Sequence, residues 1–496
     1  MKKTDLLVVG GGINGVGIAC DAAGRGLSVR LVESIDLASG TSSISTKLIH
    51  GGLRYLEYYE FRLVREALAE REVLLNKVPF LVKPMRFILP HRHHLRPAWL
   101  IRCGLFLYDN IAGKSVLPKS KTIFFKSNNS PLVDEITQGF VYSDCWVDDS
   151  KLVILNALQA KEKGAYIHTQ TRCLSLKPKE GVWVATLQNQ LNQEIFEVEA
   201  KAVINATGPW AQQFYEEAFR MPAPRKTRMI KGSHLVCKNP IKHEEAYILQ
   251  NEDKRIVFVI PYLDDYCIIG TTDKEYKGDV RNIKIDQDEI SYLLAVYNAH
   301  FKIKISEQDI LSSYSGVRPL CDDESSDPSA ITRDYTLELS QIESLPIMTI
   351  FGGKLTTYRK LAEATLQKLK PFFPKMGPSW THASKLPGAD QTTDDLREKI
   401  QATYSWLPTE ILERWLRQYG SRALKILEGT HSLESLGKDF GGGLTEKEVE
   451  YLINQEWARS PDDILERRTR FRLTATPVNE VELARFMREK ILTCLT

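Results

Sequence analysis

The chain has 496 residues, with 43% hydrophobic and 26% charged side chains and a formal net charge of +3. That length allows two or three domains with a substantial core, and the balance is that of a folded protein rather than a disordered one. A charge so near zero, without any nucleic-acid-binding motif, excludes nucleic acid as an expected partner.

Leu6, Leu7, Val8 and Val9 form the short, continuous apolar run of a strand buried on both faces. Gly10, Gly12 and Gly15 follow with G-x-G-x-x-G spacing. Their tasks are a tight turn, close backbone approach to a pyrophosphate, and close packing of helix on sheet. A helix from about Ile13 to Arg25, ended by Gly26, aims its free N–H groups and the positive end of its dipole at the phosphates. The strand Val29 to Val32 then delivers Glu33 to accept hydrogen bonds from the ribose hydroxyls of an adenosine, a carboxylate that disfavours a 2′-phosphate. The glycines alone are weak evidence. Strand, glycines, helix and acid together identify a dinucleotide site.

Ser39 to Thr46 carries hydroxyl groups at nearly every position, placed to hydrogen-bond a pyrophosphate or the edge of a flavin. In Lys47 to Tyr55, Gly51 and Gly52 let the backbone approach a flat ring, with His50, Arg54 and Tyr55 beside them. Glu60 to Lys77 has the pattern of a charged amphipathic helix. Pro90 to Ile111 enters through His91, Arg92, His93, His94 and Arg96, then runs apolar from Ala98 to Tyr108. Aromatics beside cations on a short apolar helix suit a membrane interface, and a buried core helix is the competing reading.

Asp148 and Asp149 are expected to cap a helix from Leu152 to Lys161, and Tyr166 to Leu176 alternates like one strand. Ala202 to Gly208 reads as a buried strand ending in Thr-Gly. From about Trp210 to Leu320 the pattern predicts an antiparallel sheet, with strands at Ser233 to Val236, Arg255 to Pro261 and Cys267 to Gly270, offering His234, Thr271 and Arg318. Asp322, Asp323 and Glu324 read as a solvated loop, and Arg333 opens a return strand. Gly352, Gly353 and Lys354 turn into a helix whose N-terminus can stabilise negative charge on a flavin. Beyond Pro387 the chain is helical, with helices at Pro408 to Tyr419, closed by Gly420, and Thr445 to Glu456. Gly441 to Gly443 follows no buried strand and is not a second nucleotide site.

Eight cysteines stand singly, without a C-x-x-C pair, which fits free thiols in a reducing compartment and leaves no metal or disulfide framework to expect. No apolar run approaches the ~20 residues of a bilayer-spanning helix. The run after Met1-Lys2-Lys3 is too short for a signal peptide. The expected location is the cytoplasm, or the cytosolic face of a membrane.

The stretches GGGINGVGIACDAAGRGLS and TKLIHGGLRYLEYYEFRLVREALAERE closely resemble the aerobic, FAD-dependent glycerol-3-phosphate dehydrogenases of bacteria. The likeness continues through YSDCWVDD, NATGPW, KGSHLV, ILQNEDKRIVFVIPY, IGTTDKEYKGD, YSGVRPLCDDES, ITRDYTL and FGGKLTTYRKLAE, reaching about residue 390. The resemblance implies an α/β fold of the D-amino-acid-oxidase type: a Rossmann-like FAD-binding domain (1–75, 140–212 and 330–387), an antiparallel-sheet substrate domain (76–139 and 213–329) and a helical C-terminal domain (388–496). It implies FAD contacts at Gly10, Gly12, Ile13, Asn14, Gly15, Glu33, Thr41, Ser42, Ser45, Lys47, Leu48, His50, Cys173, Gly208, Gly353, Lys354, Leu355 and Thr356. Substrate contacts are implied at Arg54, Tyr55, Thr271, Arg318, Arg333 and Lys354. Partners implied are sn-glycerol 3-phosphate, a membrane quinone, the inner face of the cell membrane and a second copy of the chain.

Arg54, Arg318, Arg333 and Lys354 together suit a phosphate dianion, for which the planar guanidinium fork is well matched. Oxidation at C2 needs a proton acceptor, and His50 or His234 is chemically suited to it. Arg318, whose pKa makes it a poor acceptor, is assigned to stabilising the developing alkoxide. Two rivals remain on the same fold: an oxygen-using amine or amino-acid oxidase, and a non-catalytic FAD-binding scaffold. The cations argue against the first; the histidines and cations together argue against the second.

Overall fold

The computed structural model describes residues 2–126, 130–242, 244–263, 265–321, 334–473 and 477–495. Two sheets organise them. In the first, the Lys2–Val9 strand lies between Val29–Val32 and Ile195–Asn205, parallel to both. Tyr166–His168 and Leu345–Phe351 extend the parallel set outward, and Thr336–Ile342 closes one edge antiparallel. Leu6, Leu7 and Val8 are wholly buried because the sheet is covered on both faces. The Ile13–Gly24, Asp149–Glu162 and Tyr358–Leu369 helices pack on one face, and Trp183, Phe214 and Tyr215 on the other.

Asp149–Glu162 is buried almost all round, its polar Lys151, Asn156 and Gln159 included. It starts at Asp149, three residues before the expected Leu152. Asp148 is the cap, accepting the Lys151 N–H at 3.0 Å. Asp149 is not: it occupies the first turn and turns its carboxylate to the cofactor loop described below. The expected single strand from Tyr166 to Leu176 is two, Tyr166–His168 and Thr171–Lys179, broken where Gln170 takes φ 51°. The first joins the parallel sheet and the second pairs with Val182–Asn189. Side-chain alternation does not register such a change of partner.

The second sheet is built on Thr227–Lys238, which pairs antiparallel with Ile310–Cys321, Tyr266–Gly270 and Lys274–Tyr276. Ile256–Tyr262, Ala246–Gln250, Val82–Pro90, Gln138–Val147 and Leu48–Ile49 follow in order, with Lys121–Phe124 beside Gln138–Val147. One pairing, Ala246–Gln250 with Val82–Pro90, is parallel, so the sheet is not wholly antiparallel. Gln138–Val147, which a boundary at residue 140 assigns to the first domain, makes its hydrogen bonds in this second sheet. The helix Gln287–His300 lies within the segment read as strands; a capping box between Asp286 and Glu289 starts it.

Phe61–Lys77 matches the expected amphipathic helix, and with Ala98–Asn110 it covers the outer side of the second sheet. Ala98–Asn110 buries Leu105 and Tyr108 but leaves Trp99 (68%), Leu100, Phe106 (63%) and Leu107 exposed on one face, which removes the buried-core reading of this helix. No helix among the described residues is long and apolar enough to cross a membrane.

The C-terminal region has its own core around Trp415, Leu416, Tyr419 and Leu452, with the expected helices at Thr409–Tyr419 and Glu446–Gln455. Buried charges join it to the first domain. Lys151 meets Glu456 at 2.7 Å, and Arg467 and Arg468 both pair with Asp36. Among the described residues no group of side chains could hold a metal ion.

Burial pulls His168 and His300 down to about 4 and holds His234 well below its ordinary value. The folded chain therefore keeps all three neutral where unfolded histidines begin to protonate, near 6.5. Because the unfolded state binds more protons in that window, their contribution is complete above about 6.5 and is lost as pH falls toward about 4. His300→Leu is expected to flatten the fall in stability between pH 6.5 and 4.5, measured by urea unfolding; a slope equal to the parent's contradicts this.

Candidate active site

The glycine turn closes by direct backbone contact. A Cβ on Gly10, where φ is +113°, would stand 2.4 Å from the Ala206 carbonyl oxygen, and one on Gly15 would stand 1.9 Å from the Gly10 carbonyl oxygen. Only glycine permits both, which lets the Ile13–Gly24 helix begin directly against the sheet. Gly12 caps that helix, and the Ile13 N–H donates to Ser42 Oγ at 3.0 Å. Glu33 ends the second strand and accepts the Gly11 N–H at 2.7 Å and the Ile35 N–H at 2.9 Å. Burial pushes its carboxyl up despite those bonds. Thr171 N–H donates to the Glu33 carbonyl at 2.7 Å, which brings Cys173, two residues on, to the Glu33 end of the turn.

Asn14 donates from Nδ2 to the Gly352 carbonyl at 3.1 Å, fastening the glycine turn to the Gly352–Gly353 turn. Its buried Oδ1 accepts no hydrogen bond within the described residues. A glycine cradle, helix N–H groups, an acid at the ribose position and an unsatisfied buried acceptor together fit a dinucleotide such as FAD.

The loop from Thr41 to Lys47 runs from this turn to the second sheet. Thr41 Oγ donates to the Val317 carbonyl at 2.9 Å, beside Arg318. The Ser45 N–H and hydroxyl both donate to Asp149, at 3.1 and 2.8 Å, and Lys47 Nζ reaches the same carboxylate at 2.8 Å. Leu48, buried, then enters the second sheet opposite Trp146.

His50 donates its backbone N–H to Thr356 Oγ at 3.3 Å, joining its loop to the turn that carries Gly353, Lys354 and Leu355. Lys354 Nζ lies 3.9 Å from the centre of the Tyr55 ring, a cation held on an aromatic face. The Gly51 N–H donates to Tyr108 at 2.9 Å, and Tyr108 in turn donates to Asp144, whose carboxyl burial raises to about 6 against the pull of Arg71. Arg54 engages Tyr58 on its own helical turn, at 3.2 Å.

His234 pairs with Gly270 in the sheet, and Gly270 pairs with Phe258 on its other side. The His50 ring meets the Phe258 ring at 6.4 Å, so both histidines stand at one end of the second sheet. His234 is buried and stacked on Tyr314 at 4.6 Å, with Nε2 3.0 Å from Thr46 Oγ and no hydrogen-bond partner at Nδ1 among the described residues. Burial first, then the charges of Arg318 and Lys47, make protonation of this ring unfavourable. Arg318 is half-buried; it donates to Thr271 Oγ at 3.1 Å and forms an ion pair with Asp273.

The contacts tie Ile13, Asn14, Glu33, Ser42 and Gly353 to the glycine turn, His50 to Thr356, Lys354 to Tyr55, and both Thr271 and His234 to Arg318. Gly208, at φ +58°, follows the Ile195–Asn205 strand, and Cys173 engages the Ser175 carbonyl. Arg333, with Asp322 to Glu324, lies outside the described residues. Sequence reasoning missed Asp273, although it stands two residues after Thr271 in the same motif, and it missed Thr46, whose role depends on a strand contact no local pattern reveals.

A family model described as FAD dependent oxidoreductase matches residues 5–359, and one described as the C-terminal domain of alpha-glycerophosphate oxidase matches residues 379–488. A glycerol-3-phosphate dehydrogenase of Pseudomonas aeruginosa is 53% identical over 98% of this chain and 95% of its own length. The chain belongs to the FAD-dependent glycerol-3-phosphate dehydrogenase family. A D-erythritol 1-phosphate dehydrogenase of Brucella abortus is also similar, 47% identical over 98% of this chain and 97% of its own. Among solved structures, the glycerol-3-phosphate dehydrogenase of Bacillus halodurans complexed with FAD aligns at TM-score 0.75 and 27% identity, covering 99% of this chain and 90% of that one. Membership makes the chain an FAD-dependent oxidoreductase.

Proposed function

We propose that this member of the family oxidises sn-glycerol 3-phosphate at C2 to dihydroxyacetone phosphate and passes the electrons to a membrane quinone. The proposal is supported by two cations: Lys354, held over the Tyr55 ring on the turn that Thr356 joins to the His50 loop, and Arg318, on the second sheet with its charge felt by His234. Two cations from separate sheets suit a small dianion better than a zwitterionic amine, whose ammonium they would repel. Bound FAD supplies the two-electron acceptor, at N5.

The residues then divide the work. Arg54, Arg333 and Lys354 hold the phosphate, so that its binding energy orients the C2–H bond. Arg318, aimed by Asp273 and Thr271, stabilises negative charge developing on the C2 oxygen. His50 accepts the hydroxyl proton. His234 is assigned a supporting role, because its burial and neighbouring cations oppose a second positive charge. The exposed face of Ala98–Asn110, entered through His93, His94 and Arg96, is proposed to lie on the inner surface of the cell membrane, near the quinone.

The similarity to a D-erythritol 1-phosphate dehydrogenase favours one second reading, a four-carbon substrate at the same site. Anaerobic mixing of the oxidised holoenzyme with each phosphate separates them. Bleaching of the flavin is expected to be at least about tenfold more efficient with sn-glycerol 3-phosphate, the discrimination that about 1.4 kcal/mol provides; the opposite preference overturns the glycerol reading. In the same assay His50→Gln is expected to slow bleaching by about 10²–10⁴-fold, the usual worth of a positioned acid–base group, with little change in substrate affinity. Equal rates clear His50. Full burial of a large apolar side chain is worth about 1.5–3 kcal/mol, so Trp99→Glu with Leu100→Glu is expected to abolish co-sedimentation with anionic phospholipid vesicles. Undiminished sedimentation removes this helix from the membrane contact.

A further inference from the structure

Arg470 joins the C-terminal domain to the carboxylates that hold the Thr41–Lys47 loop. Arg470, in the segment that follows the Asp36-binding pair Arg467 and Arg468, extends into the first domain and donates to Asp148 at 2.8 and 3.1 Å and to Asp149 at 2.8 Å. Asp149, wholly buried, is the carboxylate that receives Ser45 and Lys47 from the loop between the glycine turn and the second sheet. Lys47 Nζ also donates to the Ser43 carbonyl at 3.1 Å, so the link continues into the residue next to Ser42, whose hydroxyl caps the Ile13 N–H.

Three cationic or hydroxyl donors thus converge on one buried acid from two distant parts of the chain, the Thr41–Lys47 loop and the C-terminal domain. Burial alone would raise the Asp148 carboxyl, yet the Arg470 guanidinium holds it far below the usual range. Lys47 is pulled down by burial and by the Arg470 charge, against the pull of Asp149. Without Arg470 the two acids would share only the Lys47 ammonium, and a buried carboxylate left short of partners draws its neighbours out of place. The neighbours here are Ser45 and Lys47.

We propose that Arg470 is a positioning residue for the flavin cofactor: the C-terminal domain, through Arg470 and the Asp148–Asp149 pair, sets the conformation of the Thr41–Lys47 loop and so the affinity for FAD. The inference rests on FAD occupying the site and is independent of which alcohol is oxidised.

The test is FAD retention by the full-length holoenzyme, followed as flavin fluorescence on release, together with the visible spectrum of the bound flavin. Arg470→Gln is expected to raise the FAD dissociation constant at least about tenfold and to alter the bound spectrum, as loss of a supporting shell loosens a site. Arg470→Lys keeps the charge but cannot span both carboxylates, and is expected to loosen FAD by about threefold. The control is Arg422→Gln. Arg422 also crosses between the domains, to Glu162 at 2.8 Å, but it meets the far end of the Asp149–Glu162 helix, roughly 20 Å from the loop. It is expected to lower thermal stability while leaving FAD affinity and spectrum unchanged. Parent-like FAD affinity in Arg470→Gln, or equal loosening in Arg422→Gln, overturns the proposal; should Arg470→Gln not fold, parent-like affinity in Arg470→Lys overturns it.

Discussion

One buried carboxylate, Asp149, joins the three parts of this molecule. It begins a helix on the first sheet, receives the loop that leads into the second sheet, and accepts a guanidinium from the C-terminal domain. Removing an ion from water costs several kcal/mol even after relaxation, and is tolerated only where good geometry and further hydrogen bonds offset it. Asp149 meets that condition through Ser45, Lys47, Arg470 and the helix N-terminus at which it lies. This junction ties the Thr41–Lys47 loop to the first-sheet helix and to the C-terminal domain. A substitution of any one participant leaves the others charged and poorly matched.

The same economy of buried charge separates the groups of the candidate site. His234 lies inside the sheet, stacked on Tyr314 and near Arg318 and Lys47, and is held neutral. Arg318, half-buried, is paired with Asp273 and donates to Thr271. Lys354 lies over the face of Tyr55. Tyr108, which with Asp144 and Arg71 supports the His50 loop from behind, belongs to the helix whose opposite face is apolar and exposed. The loop and the proposed membrane contact therefore share one helix.

Much of this was legible in the sequence, wherever the governing rule is local. Gly10, Gly12, Gly15 and Glu33 declare the dinucleotide turn together with the strand and helix around them, and the Phe61–Lys77 and Thr409–Tyr419 helices follow from periodicity, the second with a closing glycine. The long family motifs added His50, His234, Thr271, Arg318 and Lys354 as candidates. What stayed hidden is what depends on distant pairing. Asp149 reads as a cap until Ser45, Lys47 and Arg470 are seen converging on it. Gln138–Val147 reads as part of the first domain until its partners Val82–Pro90 and Leu48–Ile49 are known. The Gln287–His300 helix did carry a local signal, Asp286 followed by Glu289, which was outweighed by the strand pattern around it. Arg333, by contrast, has only its motif to recommend it.

The claim on which the rest depends is that positive charge from the two sheets grips a phosphorylated alcohol beside the flavin. A crystal structure of the oxidised holoenzyme with dihydroxyacetone phosphate tests it most directly. The account predicts the ligand between the sheets, with Lys354 on its phosphate and the Arg318 guanidinium within hydrogen-bond reach of the C2 oxygen. A ligand bound elsewhere, or seated there with both cations turned away from it, would contradict the account.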